Sequence, residues 1–170
     1  MTSTPPPRVL PDPALKPTDR LVGITLDERT FVRRRPEVEH ERAVAIFDLL
    51  EDNRFAVVGL DGPYRLALSL EDNRLVFDVR DEADLPLTRF VLGMASFRSV
   101  VKDYFTVCES YYTAIRTLSP SQIEAIDMGR RGLHNEGATL LRERLAGHAV
   151  LDHDTSRRLF TLLCVLHVRA

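Results

Sequence analysis

Cysteine is nearly absent from this sequence of 170 residues. The two present, Cys108 and Cys164, fall in apolar, helix-like surroundings. That placement excludes a disulfide framework or a Cys-x-x-Cys redox pair, so each thiol reads as a small core hydrophobe in a reducing compartment. Lysine is almost as scarce: of 23 basic residues, all but Lys16 and Lys102 are arginine. Arginine's fork suits carboxylate and phosphate, but a bias this general reads first as compositional. A strong net charge is also lacking. The formal value of −2 supplies no global field for nucleic acid and no charged tail. The N-terminal stretch has five prolines among its first thirteen residues and no apolar core, so neither a signal peptide nor a membrane anchor is expected there. It reads as a disordered tail over residues 1–18.

Catalytic templates are missing as well. There is no P-loop, no GxGxxG after a strand and no GxSxG elbow. His40, His148, His153 and His167 stand apart from any cysteine or carboxylate at a ligand spacing such as HExxH, so no metal site and no cofactor are expected. Tyr104, Phe105, Tyr111 and Tyr112 lie at helical core spacing without an interleaved basic stripe, which favours packing over base stacking.

What is present is enough apolar material, 44% of residues, for one real core. The pattern predicts a single α+β domain over residues 19–170, sheet-rich over 19–93 and helical over 94–170. Leu21 to Leu26 reads as a strand. Pro36, followed by Glu37, Glu39 and Glu41, starts a helix that closes at Asp52-Asn53. Phe55–Leu60 reads as a strand, and Tyr64 to Val79 alternates as a hairpin with Asn73 in its turn. Leu87 to Leu92 completes what reads as an antiparallel meander with one N-terminal helix, on which the helical C-terminal half packs.

In that half, Phe97, Val101, Tyr104, Cys108, Tyr111, Ile115 and Leu118 form a stripe at steps of four and three, the mark of a long helix. Ser119-Pro120-Ser121-Gln122 reads as a capping box. The next segment, 123–145, is helical in spacing but carries Gly129, Gly132 and Gly137, each costing about 1 kcal/mol against alanine. It is either one helix with close backbone approaches or two helices broken near Arg131-Gly132. Asp152 or Asp154 then caps a last helix, Leu159 to Val168, apolar on all sides.

The most unusual stretch runs from Asp127 to Gly137. On a helix, Asp127, Arg130, Arg131, His134 and Asn135 fall on neighbouring positions, which brings an acid, guanidinium groups and an imidazole together. Such a set can grip a phosphate or carboxylate, or do acid–base chemistry. The plainer reading is that Asp127 pairs with Arg131 while backbone groups satisfy His134 and Asn135. Arg130 and His134 also resemble the arginine-then-histidine pair of helical ribonuclease toxins, with a shorter spacer.

Glu39-His40-Glu41-Arg42-Ala43 through Asp52-Asn53, Lys102-Asp103-Tyr104-Phe105 through Glu109-Ser110-Tyr111-Tyr112, Gln122 through Gly137, and Arg157-Arg158-Leu159-Phe160 through His167 together resemble an uncharacterised protein family found mainly in alphaproteobacteria. The resemblance implies a bacterial housekeeping protein of the cytoplasm and supplies no activity, cofactor or catalytic residue. The residues themselves suggest a non-enzymatic binding or regulatory domain. Its site would lie where Arg130–Gly137 meets the sheet or the Lys102–Glu109 face, with Lys102, Arg130, Arg131, His134 and Asn135 holding a small anion or a protein partner. The alternative is a hydrolase or nuclease using His134 with Asp127 or Glu136 and an arginine. Nucleic acid and membrane are not the expected partners.

Overall fold

A computed structural model describes residues 15–27 and 36–167. Most of the expected tail and all of the Arg33-Arg34-Arg35 run lie outside the described residues. The elements are β1 (Leu21–Leu26), α1 (Pro36–Glu51), β2 (Phe55–Val57), β3 (Tyr64–Glu71), β4 (Arg74–Arg80), β5 (Pro86–Gly93), α2 (Arg98–Thr117), α3 (Pro120–Leu145), β6 (Ala149–Leu151) and α4 (His153–His167). Among the described residues the chain is thus a mixed α and β fold with four α-helices.

The main sheet has the order β1-β3-β4-β5. The run β3-β4-β5 is antiparallel, as the alternation predicts. The expected all-antiparallel meander is corrected in two places. First, β1 pairs parallel with β3. A parallel neighbour needs a long crossover, and α1 with β2 supplies it; the helix of this half therefore follows a strand and bridges two neighbours. Second, the Phe55–Leu60 run is a strand only to Val57, because the chain turns at Gly59, whose φ is 81°. That short strand leaves the main sheet and pairs antiparallel with β6, a three-residue strand for which the sequence reading has no counterpart.

The β3–β4 hairpin turns through Asp72 and Asn73, both at positive φ (49° and 63°), the conformation a two-residue hairpin turn requires. Tyr64, Leu66 and Leu68 of β3, Leu75, Phe77 and Val79 of β4, and Phe90 and Leu92 of β5 are buried in one core with residues of the helices. Phe77 and Phe90 stack at 5.0 Å between ring centroids.

Helix α2 buries its stripe as far as Cys108, whereas Ile115 and Leu118 at its far end are exposed. Helix α3 is continuous across all three glycines. Its capping box forms as the spacing predicts: Ser119 Oγ accepts from Gln122 N (3.4 Å) and Gln122 Oε1 from Ser119 N (3.1 Å). Of the three, Gly137 has a packing reason, since a Cβ there would run into the Phe160 ring; among the described residues nothing lies within 4 Å of one at Gly129 or Gly132. Helix α4 starts earlier than Leu159, capped by Asp152 Oδ1, which accepts from Thr155 N at 3.0 Å. It lies against α1 on one side and α3 on the other and touches β3.

Asn53 fastens the end of α1 to β1. Its Oδ1 accepts from Leu21 N (2.7 Å), and its Nδ2 donates to Leu21 O (2.9 Å) and Leu49 O (2.8 Å). Next to it, Arg54 N donates to Thr155 Oγ1 (3.0 Å), which ties the same corner to α4.

Candidate functional site

The four helices leave a cleft of about 560 Å³ between them. Helix α1 contributes His40, Glu41, Val44, Ala45 and Asp48 to its wall, α2 Tyr104 and Tyr112, α3 Arg130, Arg131 and His134, and α4 Arg157, Arg158 and Thr161. Four arginines thus face one space that holds two carboxylates, Glu41 and Asp48.

One side of the cleft is a polar network built on Glu41. Its carboxylate accepts from Tyr104 Oη (3.1 Å) and Tyr112 Oη (3.3 Å) and lies 3.7 Å from Arg130 Nη1. Arg130 also gives Nη2 to Asp127 Oδ1 at 2.8 Å and lies over the Tyr111 ring, 4.9 Å from its centroid. Asp127 takes Arg131 Nη2 on its other oxygen at 2.7 Å. The hydrogen bond from Arg130 is the main reason its carboxyl titrates below the ordinary range. Burial first, then Glu41, push the Tyr112 phenol up to about 12, and the same two causes raise Tyr104 further.

His134 faces the other side. Its Nε2 lies 2.8 Å from Arg157 O and 2.7 Å from Thr161 Oγ1. A carbonyl only accepts, so Nε2 carries the proton and the ring braces α3 against α4. The imidazole also rests against the rings of Tyr104 and Phe160, with centroids at 5.5 and 5.8 Å. Burial, followed by the charge of Arg157, lowers its pKa to about 4, so it is neutral near pH 7.

The α4 arginines are the least neutralised. Arg157 lies 4.0 Å from Asp154, and its Nε–H is buried without an acceptor among the described residues; Arg130 Nε is in the same state. Arg158 donates Nη1 to the neutral carbonyl of Asp52 at 2.8 Å and, among the described residues, has no carboxylate partner.

Of the residues singled out in the sequence, Arg130, Arg131 and His134 line the cleft, with Asp127 behind them. Asn135 is exposed and accepts from His153 Nε2 at 3.2 Å. Glu136 is exposed, and Lys102 is exposed on the outer side of α2; neither lines the cleft. The segment meets α1, α2 and α4 rather than the sheet. His134 pairs with Arg157 O and Thr161 Oγ1 rather than with Asp127 or Glu136, and Asp127 is held by the two arginines. Sequence reasoning missed Glu41, Tyr104 and Tyr112 as a polar group, and Arg157 and Arg158 as its opposite wall. The available signal was an adjacent arginine pair opening an otherwise apolar helix.

Among the described residues, no group of three or more His, Cys, Asp or Glu side chains is placed to hold a metal ion. Cys108 and Cys164 are free and buried, and burial raises both thiols, Cys108 to about 11. Among the described residues no helix is long and apolar enough to cross a membrane.

The sequence profile of an uncharacterised protein family, UPF0262, matches residues 18–169. The chain belongs to this family. It is 68% identical to a UPF0262 protein of Rhodospirillum rubrum over 155 residues, 91% of this chain and 96% of that one. A UPF0262 protein of Paramagnetospirillum magneticum is 62% identical over 88% of this chain and 96% of its own length, and one from Azorhizobium caulinodans is 60% identical over 89% and 95%. No solved structure matches the chain. Both the Glu41 network and the Arg157-Arg158 pair fall within the span that the UPF0262 profile covers.

Proposed function

We propose that this UPF0262 protein is a non-enzymatic binding module whose interhelical cleft holds an anionic group on Arg157, Arg158 and Arg130. The observation that carries this reading is the pair of buried Nε–H donors, Arg130 and Arg157, on the walls of one cleft and without an acceptor among the described residues. A buried donor left unpaired costs about 1–3 kcal/mol, and a small rotation of either guanidinium toward a carboxylate or phosphate oxygen in the cleft gives it a charge-assisted acceptor. The arrangement favours binding over catalysis. His134 has Nε2 engaged and is neutral, Tyr104 and Tyr112 are held protonated, and Asp127 is occupied by two arginines.

Thermal unfolding in the presence of inorganic phosphate or citrate, on wild type and on Arg157→Gln, tests the reading. Wild type gains stability as anion concentration rises, by about 2.7 kcal/mol at 100 times Kd, and the variant does not. Equal gains in both proteins would place the effect on general salt and sink the proposal.

A further inference from the structure

Helix α1 forms one wall of the cleft, and its apolar residues do not stop at the rim. Val44, which lines the cleft, is 43% exposed, Phe47 is 66% exposed and Leu50 is 40% exposed. At steps of three on a helix they are neighbours on its surface, and they span about 9 Å along its axis at ~1.5 Å per residue. A phenylalanine two-thirds exposed, in line with two further aliphatic side chains and leading out of an arginine-walled cleft, is the kind of patch that marks a contact site rather than scattered surface.

We infer that the cleft and this stripe together dock an acidic, amphipathic segment of another protein. Its carboxylates would sit on Arg157 and Arg158, and its apolar side chains on Val44, Phe47 and Leu50. The inference rests on the anion-binding reading and names the occupant. Charge complementarity picks the sign: Arg158 has no carboxylate partner among the described residues, and the nearest one to Arg157 is at 4.0 Å. The stripe picks the class. A small anion fills the cleft but leaves Phe47 in water, whereas a helical segment with apolar residues at i, i+3 or i+4, and i+7 covers both. A nucleic acid fits less well, because its phosphate backbone has no use for the apolar stripe of Val44, Phe47 and Leu50.

Fluorescence anisotropy on the full chain provides the test. The probe is a labelled synthetic peptide with leucine at helical spacing between glutamates, alongside a scrambled peptide of the same composition and a labelled oligouridine; unlabelled citrate serves as the small anion. The expected result is that wild type binds the patterned peptide more tightly than the scrambled one. Phe47→Ser, a change at an exposed position, weakens the peptide about tenfold or more while leaving citrate binding unchanged, and Arg157→Gln weakens both ligands. A tenfold loss corresponds to about 1.4 kcal/mol. The docking inference is overturned if Phe47→Ser binds the peptide like wild type, if patterned and scrambled peptides bind alike, or if oligouridine binds more tightly than the peptide. Should citrate binding still depend on Arg157 in those cases, the anion-binding reading stands alone. Absence of both citrate and peptide binding overturns both.

Discussion

Replacing Asn53 by alanine removes three hydrogen bonds from a side chain that is 5% exposed: one accepted from Leu21 N, and two donated to Leu21 O and Leu49 O. At a net contribution of about 1 kcal/mol each, the loss is ~3 kcal/mol, and more where water fails to reach the orphaned groups. For a slope of about 2 kcal/mol per molar urea, the unfolding midpoint falls by roughly 1.5 M. Asn53→Asp separates hydrogen bonding from shape. The aspartate keeps the acceptor for Leu21 N but sets its second oxygen against two carbonyls, so the ionised form is disfavoured and the folded-state pKa rises. A group with a raised folded pKa supports the fold below its unfolded value and loses that support as pH rises. Asn53→Asp is therefore closest to wild type at low pH and worst at neutral pH, while the Asn53→Ala deficit is flat. An alanine variant within about 0.5 kcal/mol of wild type would refute the claim that this side chain fastens α1 to β1.

Other outcomes follow from the same structure. His134 is neutral in the fold, with a pKa lowered to about 4 from the ordinary 6.5, so the unfolded chain binds the extra proton between those values and stability falls as pH drops through that window. Urea unfolding at pH 7 and pH 5 should show wild type losing about 1–2 kcal/mol that His134→Gln does not lose; parallel behaviour would mean that the imidazole is not sequestered. Gly137→Ala, which drives a methyl into the buried Phe160 ring, should destabilise by about 1–3 kcal/mol. Gly129→Ala and Gly132→Ala, with open space around each, should stabilise by up to about 1 kcal/mol. Thermal melts of the three variants check that ranking, and a destabilised Gly132→Ala would reverse it.

The parts of the fold that were legible in the sequence are those written locally. Ser119 and Gln122 form a capping box within one turn, Asp72-Asn73 reverse a hairpin between two alternating strands, and the stripe from Phe97 to Cys108 needs only helical periodicity. What was not legible depends on distant pairing. The strand signal in Leu21–Leu26 does not say that its neighbour is β3 or that the two run parallel. Ala149–Leu151, three residues long, carries too little pattern to stand as a strand until Phe55–Val57 lies beside it. The glycines of α3 were ambiguous for a similar reason: only the arrival of Phe160 from α4 distinguishes Gly137 from Gly129 and Gly132.

The candidate site divides the same way. Asp127, Arg130, Arg131 and His134 share a helix face and could be grouped from spacing alone. Glu41 joins them from a helix about ninety residues earlier in the chain and Arg157 from one more than twenty residues later, so the cleft itself exists only after α1, α3 and α4 pack. Asn135 and Glu136, adjacent to His134 in sequence, point elsewhere because successive helix positions face different directions.

Arginine side-chain Nε–H signals can be followed directly by heteronuclear NMR while phosphate or citrate is added to the labelled protein. Saturable shifts of the Arg130 and Arg157 Nε–H resonances, with those of arginines away from the cleft such as Arg65 and Arg74 unmoved, are the result expected of an anion held in the interhelical cleft. Shifts spread evenly over the exposed arginines, or none at Arg130 and Arg157 at saturating anion, would contradict it.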